Sequence, residues 1–139
     1  MVAGADEAVG LGGPPAAAEV GVHRAGAIER GLHDPPGLLH HVLAGEAANA
    51  FVAMRPPGHH AERDQPMGFC LFGTVSVAAK YALEHHGLSR VAVLDFDVHH
   101  GNGTQDLLWD EARAIFVSSQ QIPLYPGSGH ADETGAHGQ

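Results

Sequence analysis

Val91-Ala92-Val93-Leu94-Asp95-Phe96-Asp97-Val98-His99-His100-Gly101-Asn102-Gly103 is the stretch from which the rest of the sequence is read. Its first four residues are apolar without a polar break, the mark of a strand buried on both faces of a parallel sheet. Asp95, Asp97 and His99 then stand at alternate positions, so an extended chain aims all three to one side. Gly101 and Gly103 release the backbone into a turn. In an open α/β sheet, ligands gather beyond the carboxyl ends of the strands. Two carboxylates and an imidazole converging there make a divalent-metal half-site, with zinc the first choice for that donor set. As a mere strand-end cluster, two acids buried together without a cation would be costly.

The flanking pattern agrees with an α/β chain. Ala50–Met54 reads as a short buried strand that ends at Arg55-Pro56-Pro57-Gly58. Residues 73–87 read as a helix with an apolar stripe of Val75, Ala78, Ala79, Ala82 and Leu83, capped by Thr74 at its start and Gly87 at its end. A short helix is expected near Thr104–Trp109, and Ala114–Val117 is another apolar, strand-like run. Strand, helix, strand, helix, strand is the alternation of a parallel sheet with crossovers. Upstream, residues 1–19 are rich in Ala, Gly and Pro and read as a poorly ordered tail. Glu19–Leu32 has weak helical spacing, His33-Asp34-Pro35-Pro36-Gly37 interrupts it, and a second short helix is expected over Leu38–Ala48.

Composition narrows the function. The chain has 139 residues, of which 44% are apolar, enough for one domain with one core. Asp and Glu outnumber Lys and Arg by 16 to 7, which argues against a phosphate-backbone binder and so against nucleic acid as a partner. No apolar run approaches the roughly 20 residues that span a bilayer, and no signal-peptide pattern opens the chain. Cys70 is the single cysteine, which suits a reducing, cytoplasmic setting.

A second constellation, Arg55-Pro56-Pro57-Gly58-His59-His60-Ala61, follows the predicted strand at 50–54. Adjacent histidines cannot share a strand face, but a glycine-released loop can turn both rings into one cavity. Each ring needs a partner on its far nitrogen, and Asp95 and Asn102 are the two on offer. With Gly68-Phe69-Cys70-Leu71-Phe72, Asp95–Gln105 and Tyr125-Pro126-Gly127-Ser128-Gly129, in that order and spacing, the sequence resembles the zinc-dependent histone deacetylase family. It is most similar to the bacterial class II-like members, which include acetylpolyamine amidohydrolases.

That resemblance implies a three-layer, arginase- and deacetylase-like α/β fold on a parallel sheet, with residues 20–139 forming the N-terminal part of one catalytic domain. It implies hydrolysis of an acetylated amine, either acetyl-lysine or an acetylpolyamine, by zinc-activated water. Asp97 and His99 would be two of the zinc ligands, and His59 and His60 the tandem catalytic histidines. Asp95 would stand behind His59 and Asn102 behind His60. Gly68 and Phe69 would line the substrate tunnel, and Asp95, Asp97, His99 and Ser118 would frame a structural potassium ion. Assembly into a homo-oligomer is compatible with the resemblance.

A carboxylate behind His59 favours its charged form, whereas a neutral amide gives His60 no such push, so His60 is the expected general base. The sequence also departs from the family pattern. Gly73-Thr74 replace two asparagines, Gln120 replaces a histidine, and neither the third zinc-ligating Asp nor the oxyanion Tyr has a counterpart before Gln139. These 139 residues alone are therefore expected to be inactive, and a non-catalytic metal-binding remnant or interaction module is the alternative. An arginase-type hydrolase fits less well, because His59-His60 and Phe69 belong to the deacetylase pattern.

Overall fold

A computed structural model describes residues 2–5, 18–20 and 35–138. In chain order the elements are β1 (Val2–Ala5), β2 (Ala18–Val20), α1 (Pro35–Leu43), α2 (Thr74–His85), β3 (Val91–Asp95), α3 (Asn102–Leu108) and β4 (Ala114–Ser118). The strands form one sheet in the order β2-β1-β3-β4. β3 and β4 pair in parallel, with Val91 opposite Ala114 and Asp95 opposite Ser118. That is the α/β pairing expected, with α3 in the connection. The sheet is nevertheless mixed, because β1 runs antiparallel to both β2 and β3. Regular structure thus reaches into the stretch read as a tail.

The helices cover one face of the sheet. Leu39 of α1, Val75, Ala79, Ala82 and Leu83 of α2, and Leu108 of α3 cluster with Leu88, Val91, Val93 and Ala114. The α2 stripe came out as expected apart from Ser76, which is buried with it while Ala78 is only partly covered. Gly87 ends that helix at φ +66°, a conformation that a side chain disfavours. Thr74 is not the cap: Gly73 holds that position, and no side chain bonds the free amides there. Arg113, at the start of β4, donates to Glu111 through its backbone N–H and its side chain, and reaches Glu84 of α2 as well.

Three other expectations fail for identifiable reasons. Pro35 and Pro36 open α1 rather than blocking a helix, since the first turn needs no N–H from them; the reading at Glu19–Leu32 falls almost wholly outside the described residues. Residues 50–54 form no strand. An apolar run meets only half of the condition for a strand, and among the described residues this one has no partner to pair with. β3 is also not buried on both faces: Val91, Val93 and Asp95 are buried while Ala92 and Leu94 are exposed.

Two outcomes test this packing. Leu83 is 3% exposed and Val77 of the same helix is 50% exposed. Leu83→Ala should cost about 3 kcal/mol in urea unfolding, and Val77→Ala no more than about 0.5 kcal/mol. The second concerns acid. Hydrogen bonding to the Arg113 guanidinium, outweighing burial, holds the Glu111 carboxyl down at about 2, against an ordinary 4.5. A carboxyl depressed by folding stabilises fully above its unfolded value, and that contribution is lost as pH falls through 4.5 toward about 2. Glu111→Gln should therefore lower stability near neutral pH and flatten the decline over that acid range. Parallel declines of variant and parent would show that the pair contributes nothing.

Candidate active site

Beyond Asp95 the backbone does not stay extended. The Asp97 N–H donates to Asp95 Oδ1 at 3.1 Å, and the His99 N–H donates to Asp97 Oδ1 at 2.8 Å. These consecutive side-chain turns curl the segment, as Asp readily does. The expectation that Asp95, Asp97 and His99 all project to one side of an extended strand is therefore corrected. Asp95 is buried and faces inward, whereas Asp97 is exposed and His99 half-exposed.

The loop carrying His59 and His60 docks onto the start of α3. The His59 carbonyl accepts the N–H groups of Gly103 and Thr104 at 2.9 and 3.1 Å, satisfying two of the free amides at that helix end. The two imidazoles lie side by side with ring centroids 4.0 Å apart. His59 Nδ1 is 2.8 Å from Asp95 Oδ2, and His60 Nδ1 is 2.8 Å from Asn102 Oδ1. Both histidines are buried. Burial holds the His60 pKa below its ordinary value; the bond to Asn102 opposes that shift, and the His59 and His99 rings add to it.

Two glycines make the close approach possible. A Cβ at Gly101 would stand 2.5 Å from Asp95 Oδ2, and one at Gly68 would stand 2.3 Å from the His60 ring. Phe69 follows Gly68 with φ +63° and is 92% exposed. A bulky residue in the left-handed region, with its ring in solvent, is not packing a core. Cys70, by contrast, is buried, and burial raises its thiol pKa, so it behaves as a small apolar residue.

Asp97 Oδ1 and His99 Nδ1 lie 3.0 Å apart. Burial raises the Asp97 pKa, but the His99 N–H and ring outweigh it and, with the His59 charge, hold the carboxyl below its ordinary value. An ionised oxygen beside an imidazole nitrogen suits two corners of a tetrahedral zinc site. Among the described residues no group of three His, Cys, Asp or Glu side chains is placed to hold a metal ion. The donor set thus fits in part. Ser118 lies opposite Asp95 across β3 and β4, and its hydroxyl oxygen is buried with no hydrogen-bond partner.

Three contributors went unassigned in the sequence. Tyr125 sets its ring edge-on to His60 at 5.0 Å and to His99 at 6.3 Å. The buried His100 fixes the loop bearing Tyr125, with Nδ1 2.8 Å from Ser128 Oγ and Nε2 3.0 Å from Gln105 Oε1. Glu62 accepts a hydrogen bond from Asn102 Nδ2 at 2.5 Å. The motif at 125–129 and the doubled histidine at 99–100 were visible; nothing local pointed to Glu62. A cleft of about 790 Å³ lies between α1, the 50–58 segment and β3. It meets the site only at His59, Asp95 and Asp97, while His60, Phe69 and Tyr125 lie outside it, so it is apolar space behind the rings rather than their approach from solvent.

Comparison with known proteins places the chain among relatives of one family. The family model for the histone deacetylase domain matches residues 37–139. The chain is 52% identical over 85 residues to a chloroplastic histone deacetylase 10 of Oryza sativa, covering 61% of this chain and 19% of that one. It is 50% identical over 95 residues to a histone deacetylase-like amidohydrolase of Pseudomonas aeruginosa, covering 68% and 25% respectively. Among solved structures, the HDA15 HD domain superposes with a TM-score of 0.71 at 39% identity, covering 75% of this chain and 31% of that one. The chain thus spans a quarter or less of the length of these two relatives. The matched segment, the α/β architecture and the tandem histidines lead to one conclusion: this chain belongs to the histone deacetylase family.

Proposed function

We propose that this chain supplies the acid/base side of a zinc-dependent deacetylase acting on an acetylated amine, either acetyl-lysine or an acetylpolyamine. One observation carries the reading. Two adjacent imidazoles are bound at Nδ1 by partners of different charge, Asp95 and Asn102, beside the Asp97–His99 donor pair. Unlike partners push the proton affinities of paired groups apart, which is how an acid and a base are assigned at one site.

The carboxylate of Asp95 orients the His59 ring through Nδ1. His60, backed by a neutral amide and lowered by burial, stays unprotonated near neutral pH and is the base. With Nδ1 engaged, His60 Nε2 takes the proton from the attacking water and later passes it to the departing amine as the carbon–nitrogen bond breaks. Asp97 and His99, with a further donor, would hold zinc, which when bound would supply Lewis acidity toward the carbonyl and the water. Gly68 leaves room for the His60 ring, and Phe69 with Tyr125 flanks the approach of the acylated chain. Ser118 and Asp95, with Asp97 and His99, are the proposed potassium frame.

Two donors alone hold zinc weakly, so the described residues would turn over little substrate unaided. That donor count also favours the second reading, a metal-binding or interaction module without catalysis. Among the described residues no helix is long and apolar enough to cross a membrane. We place the protein in a reducing compartment such as the cytoplasm, where the free Cys70 would persist.

The reading is tested by acetate release from an acetyl-lysine peptide and an acetylpolyamine, using a protein as long as its relatives. Chelation should abolish release and zinc should restore it; activity that survives chelation defeats the zinc mechanism. In the same assay His60→Ala should lower kcat by about 10²-fold or more, and Asn102→Ala by about tenfold. Equal losses would remove His60 from the role of base.

A further inference from the structure

The geometry points to Glu62 as a positioning residue that, through Asn102, locks His60 in the form with hydrogen on Nδ1 and the lone pair on Nε2. This rests on the deacetylase reading for its catalytic meaning, but the hydrogen-bond argument stands without it. Asn102 is buried, and its amide is fully committed. Nδ2 donates to Glu62 Oε1 at 2.5 Å and to Met67 Sδ at 3.2 Å, while Oδ1 faces His60 Nδ1 at 2.8 Å. A carboxylate and a thioether can only accept. The nitrogen side of the amide must therefore face Glu62 and Met67, and its oxygen must face His60. An oxygen there requires the hydrogen on Nδ1, which leaves Nε2 as the free acceptor.

Without Glu62 the constraint falls away. Met67 Sδ is a weak acceptor, and a rotated Asn102 amide would donate to His60 Nδ1 instead. His60 would then carry its hydrogen on Nε2 and could not accept a proton there. Glu62 is half-buried, touches neither Asp97 nor His99 by hydrogen bond, and serves His60 from two bonds away. His59 needs no such device, since Asp95 itself is an acceptor at Nδ1.

Nitrogen-15 NMR of the imidazole rings reads the tautomer directly, with or without catalysis. At about pH 8.5, where ordinary imidazoles are neutral, the His60 signals, assigned by their loss in His60→Gln, should show Nδ1 bearing hydrogen and Nε2 bare. Glu62→Met should shift His60 toward the opposite form or a mixture while the His59 signals keep theirs. Glu62→Gln, which retains an acceptor oxygen, should keep the parental His60 pattern. In the deacetylase assay Glu62→Met should lower kcat about tenfold and leave KM within about twofold. A parental His60 with hydrogen on Nε2, or a Glu62→Met protein whose His60 is unchanged, overturns the inference even if deacetylation is found. A tautomer that follows Glu62 in a protein as long as its relatives that releases no acetate upholds the inference and defeats the deacetylase reading alone.

Discussion

The His59 carbonyl, accepting both the Gly103 and Thr104 N–H groups, is the contact on which the site depends. It joins a loop that follows an unpaired segment to a helix that follows the central strand, across more than forty residues of sequence. Because α3 starts with unsatisfied amides, an acceptor there is worth more than an ordinary loop contact. Once it is made, the orientation of both rings follows. Asp95 ends β3, and Asn102 begins α3, so the partners of His59 and His60 are already fixed to the elements that the carbonyl grips.

That coupling also explains which parts of the site are rigid. His59, His60, Asp95, His100 and Asn102 are all buried, and each has a partner on another segment. Asp97 and His99 are more open and bond chiefly to each other. The two imidazoles and their partners are thus held within the buried part of the described residues, while Asp97 and His99 face outward.

The legible parts of the sequence were those governed by local pattern. Val91–Asp95, the α2 stripe and Gly87 depend on periodicity and on glycine's tolerance of positive φ, and they appear where periodicity places them. Asp95 and Asn102 were legible as the partners on offer for two buried imidazoles, and the family resemblance said which stands behind which ring. Residues 50–54 misled because a strand needs a neighbour that no local signal supplies. Asp97 and His99 misled because Asp side chains capture the next backbone amides and curl a chain that alternation alone would keep straight. Glu62 was silent for a third reason: its contact with Asn102 spans 40 residues, and a Glu in a polar loop looks like any solvated acid.

Gly68 and Phe69 are neighbours with opposite freedoms. Any side chain at 68 would occupy the space of the His60 ring, whereas the side chain at 69 stands in solvent. Side chains of many sizes can therefore stand at 69, while 68 stays closed to any. A position open to change and one closed to it thus stand within one peptide bond.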